Sequence, residues 1–230
     1  MNKRLACIAS HIEMGKGMID VGTDHAYLPV EMIRRGYTGQ VFASDIRKGP
    51  LLAARRTAEE AGVSDRITLQ LCDGLDTCDP DAVDTIVIAG MGGDTICGIL
   101  DRAEWCMSET YHLILQPMTK AEVLRYWLVH NEFAILQEDL VKDAGTIYQV
   151  FTARFGGETR LRDAELFSGS YSLIQKQALT REYLEQLNRR NEKILSGLEK
   201  DGTDRREGKL RIHRNIQAGL KEMIQCENGQ

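Results

Sequence analysis

The sequence contains no apolar run near the roughly 20 residues that a membrane-spanning helix needs. Its first ten residues lack the apolar core and the small-residue cleavage site of a secretory leader. No two of its six cysteines are separated by two residues, which is the spacing typical of zinc-binding and redox motifs. We therefore expect a cytoplasmic protein with reduced thiols, no membrane association and no metal site.

The sequence also lacks the overall positive charge that is typical of nucleic-acid-binding domains, because its net charge is -5. The charge is unevenly distributed, however. Residues 1–159 contain 15 lysines and arginines against 23 acidic residues, a net of -8, whereas residues 160–230 contain 14 against 11, a net of +3. Any contact with nucleic acid is therefore expected to involve the C-terminal part.

The length of 230 residues predicts one domain of roughly 150 residues and an appendage. Short runs rich in Val, Ile and Leu predict strands at 17–21, 40–46, 67–72, 84–90 and 112–116. After an amphipathic opening helix, helical patterns lie at 29–35, 50–61, 94–102 and 120–130. This alternation predicts an open, mostly parallel α/β sheet with helices on both faces.

The regular alternation ends in the last third of the chain. Two β-rich runs, 133–141 and 146–155, are joined by only four residues, which predicts an antiparallel hairpin. A seam spaced by four and three residues from 173 to 198, a turn at 201–204 and a helix at 206–224 predict an antiparallel coiled-coil arm. The whole outline is that of a Rossmann-like class I methyltransferase sheet, with a domain at 1–158 and a helical arm at 159–230.

Residues 18–29 are the most informative stretch of the sequence. A buried strand ends near Asp20 and Gly22, an acidic loop follows, and a helix begins near Pro29. Phosphate-binding loops need several glycines and a bare helix N-terminus, whereas Asp20 and Asp24 flank this single glycine and would repel phosphate. The ligand is therefore predicted to carry positive charge, which favours S-adenosylmethionine over NAD.

Acidic residues also end the next two predicted strands. Asp45 ends the second strand, where a carboxylate can accept hydrogen bonds from ribose hydroxyls. Asp73 and Gly74 end the third, within reach of an adenine amino group. Because all three acids lie at the same edge of the sheet, they outline a groove for an adenosyl cofactor. The alternative is that they are only polar caps where strands reach the surface.

The fourth predicted strand leads into the glycine-rich run 89–93. Its glycines permit close backbone approach, and we expect a loop that forms the floor between the donated methyl group and the acceptor. A P-loop is disfavoured because Asp94 stands where Lys and Ser or Thr are needed. The Asn/Asp-Pro-Pro-aromatic signature of amine-directed adenine and cytosine methyltransferases is absent, which disfavours an exocyclic amine as the acceptor.

Four motifs in this order carry a family resemblance: DVGTDHAYLP at 20–29, DGL at 73–75, IAGMGG at 88–93 and LQP at 115–117, followed by a helical arm. Together they resemble the bacterial tRNA adenine-N1 methyltransferases that modify adenine 22, over about residues 3–225. The resemblance implies a class I catalytic domain, S-adenosylmethionine as methyl donor and the tRNA D-arm as substrate. The residues assigned to the cofactor are Asp20, Gly22, Asp24, His25, Tyr27, Leu28, Asp45, Ile46, Asp73, Gly74, Ala89, Gly90, Met91 and Gly92.

Two of these residues are also assigned to catalysis. N1 of neutral adenine already has a lone pair, so methyl transfer needs alignment and charge stabilisation more than a strong base. We hypothesise that Asp24 stabilises the cationic adenine and that His25 orients this carboxylate or the cofactor. The alternatives are that Asp24 caps the following helix and that His25 is an ordinary hydrogen-bonding residue.

A further set of residues is predicted to bind the substrate. Gly93, Gln116 and Pro117 are assigned to the acceptor, with the Gln116 amide reading the base edge, and Tyr27 is a candidate for stacking on an adenine. Arg189 and Arg190 are assigned to tRNA phosphates. Other candidate phosphate contacts are Arg34, Arg35, Arg55, Arg56, Arg205, Arg206, Arg211 and Arg214. The alternatives are that Tyr27 is a packed aromatic ring, that the Gln116 amide is satisfied within its own loop, and that the arginines belong to a solvated helix face.

Two other functions stay open at this stage. One is a methyltransferase that acts on another RNA or on a small molecule, and the other is a non-catalytic cofactor-binding protein that meets its partner through the helical seam. A monomer is expected, with an oligomer as the alternative.

Overall fold

The computed structural model describes residues 1–200 and 206–228. These residues contain one seven-stranded sheet with the strand order β3-β2-β1-β4-β5-β7-β6. The strands are β1 (Gly17–Val21), β2 (Gln40–Asp45), β3 (Ile67–Leu71), β4 (Thr85–Gly92), β5 (His112–Thr119), β6 (Phe133–Asp143) and β7 (Thr146–Phe155). Strands β1 to β5 pair in parallel, and β7 pairs antiparallel with β5. The predicted sheet type is confirmed.

The first five described helices follow the predicted alternation with strands, and four more come after the last strand. They are α1 (Lys3–Ser10), α2 (Tyr27–Arg34), α3 (Lys48–Glu60), α4 (Gly93–Arg102), α5 (Ala121–His130), α6 (Asp163–Ser168), α7 (Tyr171–Ile174), α8 (Thr180–Lys200) and α9 (Arg206–Asn228). Helix α2 begins two residues before Pro29, so the proline lies in its first turn, where its missing N–H is harmless. None of the helices described here is long and apolar enough to cross a membrane.

Strand β1 lies at the centre of the parallel part of the sheet. It is buried along its whole length, and β2 and β4 pair with its two edges. Apolar side chains of α1, α2 and α3, including Ile8, Leu28 and Ala58, join Met18 of β1 and Val41 of β2 in one core. The chain order reverses at β1, and ligands of parallel sheets bind at the carboxyl ends of the strands beside such a reversal.

The glycine-rich run 89–93 differs from the sequence prediction. A loop was expected, but β4 continues to Gly92 as a bulged strand and passes directly into α4. The register against β5 shifts between Ala89 and Met91 and again between Met91 and Gly92. The reason is that β5 extends to Thr119, three residues beyond its predicted end, so that these residues still find backbone partners.

The described chain divides into two compact units. Unit 1 comprises residues 1–137 and 141–159, and unit 2 comprises residues 138–140 together with the described residues beyond 159. Unit 1 holds the sheet core described above. The helices α6 to α9 belong to unit 2.

Within unit 2, α8 and α9 run antiparallel. Asn188 and Asn191 near the middle of α8 bond to Gln217, whereas Glu199 near its end pairs with Arg214, which precedes Gln217 in α9. Helix α6 adds a third element that the sequence did not predict. It packs on α9 at Gly219, where a Cβ would overlap the Ala164 side chain.

The predicted helical seam is wrong at its beginning. Residues 173 and 177 do not belong to the long helix, because α7 ends at Ile174, Lys176 has a φ of 71° and α8 begins at Thr180. The Gln177 side chain instead donates to the Glu138 carbonyl oxygen at 2.7 Å and accepts from the Leu140 N–H at 2.9 Å. The predicted turn at 201–204 and Arg205 lie outside the described residues.

Candidate active site

The loop between β1 and α2 has an unusual backbone that is fixed by the neighbouring strand. Gly22, Asp24 and Ala26 have φ values of 73°, 52° and 54°, a region that costs energy for residues with a Cβ. The N–H groups of Gly22 and Thr23 both donate to the Ser44 carbonyl oxygen, at 2.8 and 2.9 Å. These bonds hold the loop at the carboxyl end of the sheet.

Asp20 is a buried acid at the end of β1, and its side chain points into the site. It is 6% exposed, and its Oδ2 accepts from the Thr23 hydroxyl at 2.6 Å. Burial raises the pKa of Asp20 to about 6, while the Thr23 hydrogen bond and the charge of Arg4 act in the opposite direction. The carboxylate is therefore short of positive charge, which a cationic ligand group would supply.

Asp45 and Asp73 occupy the end of β2 and the turn after β3. Asp45 is nearly buried, and its Oδ1 accepts from the Arg47 N–H at 2.9 Å. Asp73 is half exposed, and its Oδ1 accepts from the Arg102 guanidinium at 2.9 Å. Arg102 also donates to Asp76 at 3.2 Å, so this arginine bridges the two acids.

Glycines at the end of β4 and at the start of α4 allow neighbouring residues to lie close to the backbone. Gly90 has a φ of 81°, and a Cβ on this residue would lie 3.6 Å from Nη1 of Arg4. A Cβ on Gly93 would overlap the carbonyl oxygen of Lys120, which itself has a φ of 56°. The Lys120 ammonium pairs with Asp94 in the first turn of α4.

Two adjoining cavities lie at these strand ends. The main cleft has a volume of about 420 Å³, and the predicted residues that line it are Gly22, Asp24, Asp45, Ile46, Asp73, Gly74, Ala89, Gly90 and Met91. The side cavity has a volume of about 210 Å³ and shares Gly22, Asp24, Ala89 and Gly90 with the main cleft. It is further lined by Arg4, Leu5, Asp20, Thr23, His25, Tyr27 and Leu28.

The structure thus brings 13 of the 14 residues assigned to the cofactor together around two adjoining cavities. The exception is Gly92, which stands at the N-cap of α4. Gly93, Gln116 and Pro117, which were assigned to the acceptor, are also outside the two sets of lining residues within the part of the chain that the structure describes.

Gln116 is fully buried, although its amide was predicted to read a base edge. Its Oε1 accepts from Nη1 of Arg4 at 2.5 Å, and its Nε2 donates to the Pro117 carbonyl oxygen at 2.9 Å. The Met118 sulfur is a further neighbour of Nε2 at 3.6 Å. The amide is thus occupied by internal partners, and it presents Arg4 to the side cavity.

Arg4 is the functional candidate that the sequence did not reveal. It belongs to α1, lines the side cavity, and lies 5.8 Å from the Tyr148 ring centroid. Its partner Gln116 lies 112 positions away in the sequence, so no local pattern could have connected them. A single arginine in an amphipathic helix normally indicates a solvated face.

Asp24, His25 and Tyr27 form the exposed mouth of the side cavity. The His25 and Tyr27 rings are stacked, with centroids 5.2 Å apart and planes within 12°. The His25 Nε2 lies 3.7 Å from Oδ2 of Asp24. The Tyr27 side chain is 54% exposed, so this ring remains accessible to a planar ligand.

Unit 2 carries its own polar groove along α8. Its lining residues are Gln186, Arg189, Arg190, Glu192, Lys193 and Ser196. Arg190 lies over the Phe167 ring, 5.4 Å from its centroid, so part of its role is packing within unit 2. The Arg189 guanidinium lies 3.9 Å from Glu185, a spacing that leaves it available to another anion.

Comparison with known proteins agrees with this geometry. Residues 1–151 match the methyltransferase domain family. The tRNA (adenine(22)-N(1))-methyltransferase of Bacillus subtilis is 35% identical over 156 residues, which span 68% of this chain and 66% of that protein. The matched stretch is thus about two thirds of that relative's length.

Solved structures extend the likeness to almost the whole chain. The crystal structure of the B. subtilis m1A22 tRNA methyltransferase TrmK superposes with a TM-score of 0.86 at 29% identity, covering 97% of this chain and 98% of that one. M. capricolum TrmK in complex with S-adenosyl-homocysteine gives a TM-score of 0.80 at 25% identity, covering 98% of both chains. The chain therefore belongs to the methyltransferase-domain family and, within it, to the group that contains the B. subtilis tRNA (adenine(22)-N(1))-methyltransferase.

Proposed function

We propose that this protein is an S-adenosylmethionine-dependent methyltransferase that modifies N1 of adenine 22 in the D-arm of tRNA. The observation that carries the proposal is the likeness to the B. subtilis enzyme over both units, with a TM-score of 0.86. The acidic strand ends of unit 1 add a chemical reason, because they suit a cationic adenosyl ligand.

The residues of unit 1 fit this donor. Asp45 at the end of β2 is assigned to the ribose hydroxyls, and Asp73 in the turn after β3 is assigned to the adenine amino group. Ile46 leaves 61% of its side chain exposed in the main cleft, which provides an apolar wall for the adenine. Asp20 lacks a full positive partner and suits the ammonium group of the amino-acid end.

The acceptor side is assigned to the mouth of the side cavity. When bound, S-adenosylmethionine supplies an electrophilic methyl group on a sulfonium centre. The Tyr27 ring stacks on the target adenine, and the Asp24 carboxylate stabilises the positive charge that the base acquires. His25 stands beside Asp24 and limits where that carboxylate points.

The basic groove of α8 is assigned to the RNA backbone. Removing adenine 22 from its stack costs a few kcal/mol, so contacts elsewhere must offset this cost. Arg189 and Lys193 in unit 2 offer cations for phosphates, and their contribution should weaken as salt is added.

The test is a methylation assay with a defined RNA. The purified protein is incubated with methyl-labelled S-adenosylmethionine and an unmodified tRNA transcript, and the modified nucleotide is mapped by primer extension. We expect label at adenine 22 and a primer-extension stop at that position. A transcript with guanine at position 22 is the control and should accept no label. Labelling that persists in this control, or no labelling of either RNA, contradicts the proposal.

A further inference from the structure

A second groove of unit 1 borders the mouth of the side cavity. It lies between α1, α2 and α3 and has a volume of about 540 Å³, within the range of roughly 300 to 1,000 Å³ that is typical of small-ligand sites. We call it the helical groove, and its lining residues are Met1, Asn2, Leu5, Tyr27, Val30, Glu31, Arg34, Thr57, Glu60 and Ala61. Leu5 and Tyr27 also line the side cavity, so the two spaces adjoin each other.

We propose that the helical groove binds the nucleotide next to the target adenine in the RNA, with Arg34 on its phosphate and Glu60 on its base. The inference rests on the proposed function and deepens it, because it assigns a second nucleotide of the substrate to the catalytic unit. An RNA whose target base stacks on Tyr27 has to place a covalently linked neighbour beside that ring. The helical groove adjoins the ring and provides space for this neighbour.

The charges of the helical groove suit a nucleotide. The Glu31 carboxylate accepts from Nε of Arg35 at 2.8 Å, so its charge is already paired within α2. Arg34 and Glu60 are exposed, and neither side chain forms an ion pair with another of the residues that the structure describes. The groove therefore offers one cation for a phosphate and one carboxylate for the N–H donors of a base edge.

The helical groove also has the apolar surface that a base needs. Val30 is buried in the core of unit 1, and Leu5 and Ala61 are partly buried against that core. The Thr57 hydroxyl donates to the Ala53 carbonyl oxygen at 3.1 Å, so this donor is already used within α3. A lining with an apolar part and two free charges of opposite sign matches a base with apolar faces, a polar edge and an attached phosphate.

The test measures RNA affinity by fluorescence anisotropy, with the full chain saturated with S-adenosylhomocysteine so that no methyl transfer occurs. Three tRNA transcripts are compared, namely the intact one and two that carry an abasic nucleotide at position 21 or at position 23. Glu60→Gln should bind the intact transcript roughly threefold to tenfold more weakly than the reference variant Glu59→Gln. For one of the two abasic transcripts this difference should fall below about twofold, because the base that Glu60 contacts is missing.

Glu59→Gln is the matched reference because it changes the net charge equally. Glu59 is exposed on α3 next to Glu60 and does not line the helical groove. Unchanged binding of S-adenosylhomocysteine in both variants, measured by calorimetry, shows that the fold and the cofactor site are intact.

Arg34→Ala should behave differently from Glu60→Gln, because its partner is a phosphate that an abasic nucleotide retains. We expect it to bind all three transcripts roughly threefold to tenfold more weakly, and to reduce the slope of log affinity against log salt by roughly 0.7 to 0.9. Lys16→Ala is the control, since Lys16 is an exposed cation that precedes β1, at the opposite edge of the sheet from the site. It should bind each transcript as the wild type does.

The inference is overturned if Arg34→Ala and Glu60→Gln bind the intact transcript no more weakly than their controls do. It is also overturned if the Glu60→Gln effect is equal for the intact and both abasic transcripts. If adenine 22 of the intact transcript is never labelled, the proposed function fails, whereas loss of the Glu60→Gln effect on one abasic transcript still supports the groove as an RNA site. Labelling of adenine 22 without that loss contradicts the groove assignment alone.

Discussion

Asp20 is a residue whose burial favours function over stability. Its folded-state pKa is raised to about 6 from 3.8, so the folded protein binds this proton more tightly than the unfolded chain does. The resulting stabilisation is complete below about pH 4 and is lost as the pH rises through about 6. At neutral pH the unliganded fold therefore contains a carboxylate that costs free energy.

Asp20→Asn should remove this cost. We expect the variant and the wild type to have similar free energies of unfolding near pH 4, and the variant to be more stable by on the order of 2 to 3 kcal/mol at pH 7.5. Denaturant titrations at the two pH values measure the difference. The same variant should bind S-adenosylhomocysteine roughly 10-fold to 100-fold more weakly, because it loses a charged partner for the ammonium. A stability difference that does not change with pH argues against a destabilised carboxylate.

Asp24 differs from Asp20 because it is exposed at the mouth of the side cavity, where the acceptor is expected. Asp24→Ala should lower the methylation rate roughly 10-fold to 100-fold, because the charge that develops on the base loses a nearby carboxylate. Its effect on S-adenosylhomocysteine affinity, measured by calorimetry, should stay within about threefold. Asp65→Ala removes an exposed acid between α3 and β3 and is the control. A rate close to the wild type's would show that Asp24 only shapes the loop.

Some residues of the candidate site can be predicted from the amino-acid sequence alone. Asp20, Asp45 and Asp73 are evident because each lies near or just beyond the end of a strand, and parallel strands bring their carboxyl ends to one edge. Arg4 and Gln116 are not evident, because their contact joins α1 to β5 across 112 positions. Gln116, which the sequence placed at a strand end, lies inside β5 and is buried by its own neighbours.

At the scale of elements, the passage from β4 into α4 depends on one glycine. Gly93 lies where a Cβ would overlap the Lys120 carbonyl oxygen, and backbone atoms there have little freedom to shift. Gly93→Ala should therefore destabilise the protein by about 1 to 3 kcal/mol. Gly98→Ala, in the same helix, places its Cβ in open space and should stabilise by about 0.5 to 1 kcal/mol. If the two variants unfold at the same urea concentration, α4 can shift away from the Lys120 carbonyl oxygen, and the predicted overlap does not destabilise the protein.

The long helices show what periodicity can and cannot predict. Leu184, Leu187 and Asn191 are buried at the predicted seam positions, since the four-and-three spacing places them on one face of α8. The beginning of that helix was not predictable, because it depends on Gln177 bonding to residues 138–140 rather than continuing the helix. Asn191 is a specific contact within the seam, since it donates to Gln217 at 2.7 Å.

At the scale of the whole molecule, the two parts of the chain carry opposite charge. Under the proposed function, the net charge of -8 over residues 1–159 suits a cationic donor but repels RNA, so we expect the net of +3 over residues 160–230 to supply most of the attraction to phosphate. The uneven distribution was evident from the sequence. The sequence did not show which arginines are available to bind phosphate. In the structure Arg190 packs over the Phe167 ring, whereas Arg189 lies 3.9 Å from Glu185.

Arg189 and Lys193 provide the test of this division of charge, since both line the α8 groove. Removing one cation that binds a phosphate should reduce the slope of log affinity against log salt by roughly 0.7 to 0.9. We therefore expect Arg189→Ala and Lys193→Ala to weaken tRNA binding singly and nearly additively, with unchanged affinity for S-adenosylhomocysteine. Fluorescence anisotropy of labelled tRNA at several salt concentrations measures both the affinity and the slope. Lys221→Ala on α9 removes an equal charge outside the groove, and a slope change as large in this control would mean that net charge, rather than the groove, attracts the RNA.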